Sequence, residues 1–441
     1  MMLCENPARV GGHLELMGYV VKWDMGLRFS VWIALIWFVA GVRLPGATHG
    51  TQGVEETARP RVVGYFPQWG LYDDHRFLVK SLMTSGSTKV LDQLNYAQGS
   101  VAGGHCSIAD MNADLNVAFK ADETVDGKAD AQGSKFKGYF HQLEELKKRS
   151  PSLKVLISLE GKATDFAEDA RPENRGRFVA SCVDLFLRGN FGGGVRKPKL
   201  FDGIDLDWEY PKAEDAENFI ALLKEMRRQM DAVRPGLRLT IAVGPSPRMY
   251  VGTDMGEVAK QVDEVGVMNY DYSGPWSKTT GLLAPLSGDP TMGGTVERSI
   301  DAYRGAGVPT NKLLMGMPFY GYGWSGVGEG NHGLYQEGKG IRGDRPYWYI
   351  EALGGDFERY RDENSGAPWL FDGKTFWTYE DPVSAERKAR FARDQELGGV
   401  MIWELSGDTG AGDLLKAVKR GVEGADGLEA LRSGGGGRGQ R

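Results

Sequence analysis

Cysteine is scarce in this chain: three in 441 residues, at Cys4, Cys106 and Cys182. That is too few for a disulfide framework, and no CxxC or HxxxH pairing offers zinc a place. No block of lysine or arginine stands out, and the formal net charge is -6. A partner with a phosphate backbone is therefore not expected, because nucleic-acid binding needs a basic face. Long apolar runs are missing too, apart from residues 29–42, FSVWIALIWFVAGV. Arg28 precedes that run and the small residues Gly46 and Ala47 follow it. A membrane span takes about 20 apolar residues, so the run reads as a secretory signal. Met25 opens the pattern, which makes residues 1–24 an over-extended start and residues 1–48 a segment to be removed. A retained N-terminal anchor is the alternative. The mature chain is expected to be exported, monomeric and without stable membrane association.

What is present is ordinary for a globular protein: 41% hydrophobic and 25% charged residues. Loss of Cys4 would leave Cys106 and Cys182, and export would permit a bridge between them. Cys182, however, falls in step with Phe178, Leu185 and Phe186 on one helical face. It is read as a small buried hydrophobe rather than a bridging partner.

From about residue 60 short apolar runs alternate with helical patterns. Strands are expected at 62–69, 90–97, 154–159, 203–208, 237–243, 265–270, 313–318 and 399–403, each bounded by turn residues. Amphipathic helices are expected at 135–149, at 215–233 and, behind Pro382, at 383–397. Eight strands alternating with helices over residues 60–421 imply an α/β fold, a (β/α)8 TIM barrel. A doubly wound sheet would want a glycine-rich phosphate turn after the first strand, and none is there. Residues 322–377, rich in Gly, Tyr and Trp, read as a small α+β lobe inserted between strand 7 and helix 7. The Gly-rich end, 424–441, reads as a disordered tail.

The sharpest signal is FDGIDLDWEYP at 201–211. Alternate side chains of a strand share a face, so Asp205, Asp207 and Glu209 point one way. Inside a barrel that face is the interior, and Glu209 at the carboxyl end reaches the mouth. Three carboxyls at strand pitch cannot all ionise cheaply in a dry interior, so one is expected to keep a proton near neutral pH. The flanking Phe201, Ile204, Leu206 and Trp208 argue that the strand is buried rather than an idle solvent face. A metal site is not expected, since the segment lacks the loop that cation-binding carboxylates use.

This segment resembles the active-site strand of the family-18 glycoside hydrolases, whose pattern is DGxDxDxE. The resemblance implies a chitinase acting on chitin or N-acetylglucosamine oligosaccharides, with no cofactor. It makes Glu209 the proton donor, Asp207 the acid that orients the acetamido group, and Asp205 its buried charge partner. Asp202 is similar to the motif's structural aspartate. In MNYDYSGPWSKTTGLLAPL, 268–286, Tyr270 and Asp271 resemble the pair that holds the acetamido group, and Trp276 a platform beyond the cleavage point. Tyr65 in GYFPQW, helped by Ser158, resembles the tyrosine that satisfies Asp205. Trp403 in MIWELSGD looks like the aromatic floor at the cleavage site. Trp69, Tyr210 and Met268 complete the expected sugar-binding set, with packing in the core as the less favoured reading of Trp69 and Trp403. MPFYGYGW, 317–324, is similar to the deep-cleft subgroup of the family.

The chain departs from the family pattern at several points. The third strand usually ends Ser-x-Gly-Gly, and here Ser158, Leu159, Glu160 and Gly161 are followed by Lys162. Gln98 stands where phenylalanine is usual, and Tyr322 where arginine is frequent. The family mechanism is substrate-assisted, with the sugar amide as nucleophile and retention of configuration. Two alternatives share the motif: an endo-N-acetylglucosaminidase of glycoprotein glycans, and a sugar-binding relative without turnover. The presence of all three acids speaks against the second.

Overall fold

The computed structural model describes residues 59–433 except 74, 132 and 289–292. The expected signal segment and over-extended start lie outside the described residues. Eight parallel strands form the frame. They are β1 (Arg61–Pro67), β2 (Gln93–Ala102), β3 (Lys154–Gly161), β4 (Gly203–Asp207), β5 (Arg238–Val243), β6 (Glu264–Val267), β7 (Leu313–Pro318) and β8 (Gly399–Trp403). Each pairs with its neighbours in chain order, and β8 pairs back onto β1, so the sheet closes. The chain is a (β/α)8 barrel.

Strand alternation sorts the side chains into two layers. Val63, Tyr65, Ala97, Leu314 and Met401 cluster inside the barrel together with Met268 and Tyr270. Val62, Phe66, Leu94, Tyr96, Ile204 and Leu206 belong to the larger core between strands and helices. Helix Ala216–Val233 lays Phe219, Leu222, Leu223, Met226 and Met230 on that core. It stops there because Arg234 precedes Pro235 and is held extended, at φ -164° and ψ 147°. Helix Pro382–Asp394 starts where Asp381 accepts from the Ser384 N–H, with proline in its first turn.

Three features differ from the sequence expectation. The second strand starts later and runs on to Ala102, because it pairs antiparallel with His105–Ile108 beyond the barrel rim. That hairpin brings Cys106 against helix Pro172–Cys182, and Cys106 and Cys182 are joined in a disulfide. Cys182 is buried beside Phe178 and Phe186 as its periodicity implied. The same face also meets the hairpin, a contact between segments 76 residues apart that helical spacing cannot reveal. Finally, the helix from Asp413 breaks at Gly424, whose φ is 73° and ψ -179°, and helical turns resume as far as Ser433 within the stretch expected to be tail; residues 434–441 of that stretch lie outside the described residues.

The insertion is an antiparallel sheet built on Tyr320–Ser325, Thr375–Thr378, Pro368–Phe371 and Glu358–Arg361, with helix Tyr347–Leu353 beside it. Trp324, Trp369, Phe371 and Phe376 give it a core of its own. It leaves the barrel just after β7 and so rises at the carboxyl ends of the strands.

Candidate active site

β4 carries the acid run into the barrel. Ile204 and Leu206 face the helices, which leaves Asp205 and Asp207 for the interior, both almost fully buried. The strand ends at Asp207, so Glu209 lies on the turn that follows, exposed at the mouth.

Asp205 is surrounded by donors from three other strands, the two neighbours β3 and β5 and, across the barrel interior, β1. Its Oδ2 accepts from the Tyr65 hydroxyl at 2.7 Å and from Ser158 Oγ at 2.9 Å. Its Oδ1 accepts from Thr240 Oγ1 at 2.5 Å. Ser158 and Thr240 are its direct cross-strand partners in β3 and β5. Tyr65 and Ser158 are where the sequence put them; Thr240 was not foreseen, because its position depends on the register of β5. Burial still pushes the Asp205 carboxyl upward against these three hydrogen bonds.

Asp207 has no such support. It is 5% exposed and its Oδ1 has no hydrogen-bond partner. Burial first, then the charges of Glu209, Asp205 and Glu160, drive its pKa well above the usual carboxylate range. Glu160 lies directly opposite Asp207 in the pairing of β3 with β4. Its own carboxyl is raised by burial and by Glu209.

Seven of the expected residues line one cavity of about 450 Å³: Asp207, Glu209, Tyr210, Met268, Tyr270, Asp271 and Trp403. Asp271 holds a left-handed backbone at φ 61°, which sets its carboxyl toward the inserted lobe. There Oδ1 accepts from the Tyr320 hydroxyl at 2.6 Å, and Tyr322 reaches Oδ2 at 3.5 Å. Burial raises the Asp271 carboxyl despite both donors. Tyr65 packs against Trp403 with centroids 5.3 Å apart. Trp69, 38% exposed, stands 6.1 Å from Trp403, and Trp276, 62% exposed, stands 5.4 Å from Tyr322. A line of partly exposed aromatic rings thus borders the acids, suited to the C–H faces of a pyranose.

Asp202 is apart from this cleft, at the amino end of β4. It accepts from Lys147 Nζ at 2.7 Å and from the Val155 N–H at 2.9 Å, ties that anchor the strand.

The description "Glycosyl hydrolases family 18" matches residues 61–408. The chain belongs to this family. Among relatives, it is 34% identical to Chitinase C of Streptomyces lividans over 386 residues, which are 82% of this chain and 60% of that protein. The family-18 chain therefore spans about three fifths of that relative's length. It is also similar to the catalytic domain of psychrophilic chitinase B from Arthrobacter TAD20, with a TM-score of 0.75 and 29% identity. That match covers 82% of this chain and 95% of the other. A family-18 N-acetylglucosaminidase from Paenibacillus barengoltzii matches with a TM-score of 0.66 and 29% identity, over 82% and 99% of the two chains.

Six cleft residues went unnoticed as site residues in the sequence, among them Pro245 and Met249 after β5. Glu160 and Tyr322 stood out only as departures from the family pattern. Asp344 and Tyr320 belong to the insertion and its entry strand, whose placement no local pattern discloses. Both line the cavity.

Proposed function

We propose that this family-18 chain is a secreted chitinase that hydrolyses β-1,4-linked N-acetylglucosamine polymers by a substrate-assisted, retaining route. The observation that carries the reading is the unpartnered, buried Asp207 oxygen beneath Glu209 in an aromatic-lined cleft. A carboxyl raised that far holds a proton and donates to an amide, or gives it up to a nearby cation.

In this scheme Glu209 protonates the glycosidic oxygen as the bond to C1 breaks. The acetamido carbonyl oxygen of the same sugar forms a bond to C1, giving a cyclic oxazolinium. Tyr270 and Asp271 hold that acetamido group, and Asp207 stabilises the positive charge on its nitrogen. Glu209, now a carboxylate, takes a proton from water as the water oxygen bonds to C1 and the bond from C1 to the acetamido oxygen breaks, which restores the amide. Two displacements at C1 retain its configuration. Trp403 supports the sugar whose bond is cut, Trp276 the sugar on the leaving side, and Trp69, Tyr210 and Met268 flank them. Export is supported by the apolar run at 29–42 and by the Cys106–Cys182 bridge, which needs an oxidising compartment.

Glu209→Gln tests the reading. Turnover of chitotetraose is expected to fall by about a hundredfold or more, the scale of a general acid, with oligosaccharide binding kept. Anomer detection on the wild-type products is expected to show retention. Parental turnover in the variant, or an inverted product, overturns the scheme. Colloidal chitin against a high-mannose glycoprotein separates it from glycan release.

A further inference from the structure

Tyr322 packs against two cores at once, the cluster inside the barrel and the core of the inserted lobe. It stands where the family pattern frequently has arginine, so whatever it does belongs to this chain rather than to the motif. The strand Tyr320–Ser325 sets it in place. Alternate residues of a strand share a face, and Tyr320, Tyr322 and Trp324 reach in turn along the segment from Asp271 to Ser277. The Tyr320 hydroxyl donates to Asp271 Oδ1 at 2.6 Å and the Tyr322 hydroxyl to Oδ2 at 3.5 Å. Trp324 Nε1 donates to the Ser277 carbonyl at 3.1 Å. Burial, and then the Asp271 charge, push the Tyr322 phenol upward, so it keeps its proton and stays a donor.

The rings make a second connection. Tyr270 packs edge-on against Tyr320 with centroids 6.0 Å apart, Tyr320 against Tyr322 at 5.5 Å, and Tyr322 against Trp276 at 5.4 Å. Edge-to-face contact is directional, so each ring opposes the tilt of the next. The ladder runs from Tyr270, buried in the barrel, to Trp276, exposed at the rim. The backbone around Trp276 is fastened to the same lobe. The Gly338 N–H donates to the Lys278 carbonyl and the Thr280 N–H to the Gln336 carbonyl, each at 2.9 Å. Platform and carboxyl are therefore held by one strand, and at Tyr322 a single side chain touches both.

We propose that Tyr322 is a positioning residue that couples the leaving-side sugar on Trp276 to the acetamido-holding carboxyl of Asp271. The proposal rests on the function given above, which assigns those roles to Trp276 and Asp271. The Tyr322 hydroxyl aims the carboxyl, and its ring braces the indole. A sugar seated on Trp276 thus steadies the group that orients the attacking amide. The chain is thereby tuned to substrates that carry a sugar beyond the cut.

The test compares the full chain and its variants on chitotetraose and on the β-fluoride of chitobiose, whose leaving group is too small to cover Trp276. Tyr322→Phe keeps the ring and removes the donor. It is expected to lower kcat about threefold to tenfold on both substrates with KM unchanged, the scale of one hydrogen bond. Tyr322→Leu removes the ring as well. It is expected to add a rise in KM of about twofold to tenfold on chitotetraose alone, the scale of one edge-to-face pair. In a chain already carrying Trp276→Ala, the same Tyr322→Leu change is expected to leave that KM where it is, because the contact it breaks is gone. A merely structural role would move KM alike on both substrates. Parental kinetics in the Tyr322→Phe chain, a KM rise on the fluoride equal to that on chitotetraose, or full additivity with Trp276→Ala overturns the proposal and leaves the chitinase reading standing. The Tyr322→Phe comparison decides alone if the Tyr322→Leu chain does not fold. Failure of the parent to cut chitotetraose overturns the chitinase reading, and the coupling with it.

Discussion

Glu160 stands directly across from Asp207 in the paired strands β3 and β4. The acid run that starts on β4 thus has a fourth carboxyl at its side, and after burial the charges of Glu209, Asp205 and Glu160 all push the Asp207 carboxyl upward.

Replacing Glu160 with Gln removes one of those charges. The Asp207 titration, followed through carboxyl-carbon NMR, is expected to move to lower pH, since a neighbouring anion had opposed ionisation. A titration that stays in place would show that Glu160 plays no part in setting it.

Tyr320→Phe takes from Asp271 its closest donor, the hydroxyl at 2.6 Å. A carboxylate hydrogen bond of this kind changes an equilibrium by about tenfold or more. Steady-state kinetics are expected to show a loss of about tenfold in kcat/KM, carried mainly by kcat if Asp271 acts on the reacting acetamido group. A change confined to KM would move Asp271 out of that role.

Another buried acid, Asp114, lies outside the cleft. Asp114 is fully buried, accepts from Tyr96 and from Gln68 Nε2 at 2.6 Å, and is pushed by burial from 3.8 to about 7. Its folded-state pKa is raised, so the folded chain holds the proton more tightly than the unfolded one. The stability this gives is present below about pH 4 and is lost as pH rises through about 7. Three units correspond to about 4 kcal/mol. Urea unfolding at both ends of that window is expected to show a flatter profile for Asp114→Asn than for the parent.

The Cys106–Cys182 bridge closes a loop of 76 residues. The chain-entropy estimate for such a loop is about 4 kcal/mol. The Cys106→Ser, Cys182→Ser chain is expected to unfold at lower urea by that order, with turnover kept where it remains folded. Equal stability with and without reductant in the parent would contradict the estimate.

The barrel was legible because its cause is local. Eight short apolar runs separated by helical periods leave few ways to bury both faces of a parallel sheet. The acid run was legible for a similar reason: a period of two fixes which side chains share a face, and β4 places Asp205 and Asp207 inside with Ile204 and Leu206 outside. Glu209 falls past the end of the strand, so its place owes more to the turn than to that alternation.

What the amino-acid order determined by itself is therefore the architecture and the acids at its centre, since both follow from short-range periodicity along one strand or helix. Only the tertiary structure decided the rest: Thr240 against Asp205, Tyr320 against Asp271, Cys106 against Cys182, and Asp344 at the cleft rim. Each joins segments distant in the chain. Strand register, hairpin reach and the docking of an inserted lobe are fixed by packing across the whole domain, and no local pattern of residues encodes them.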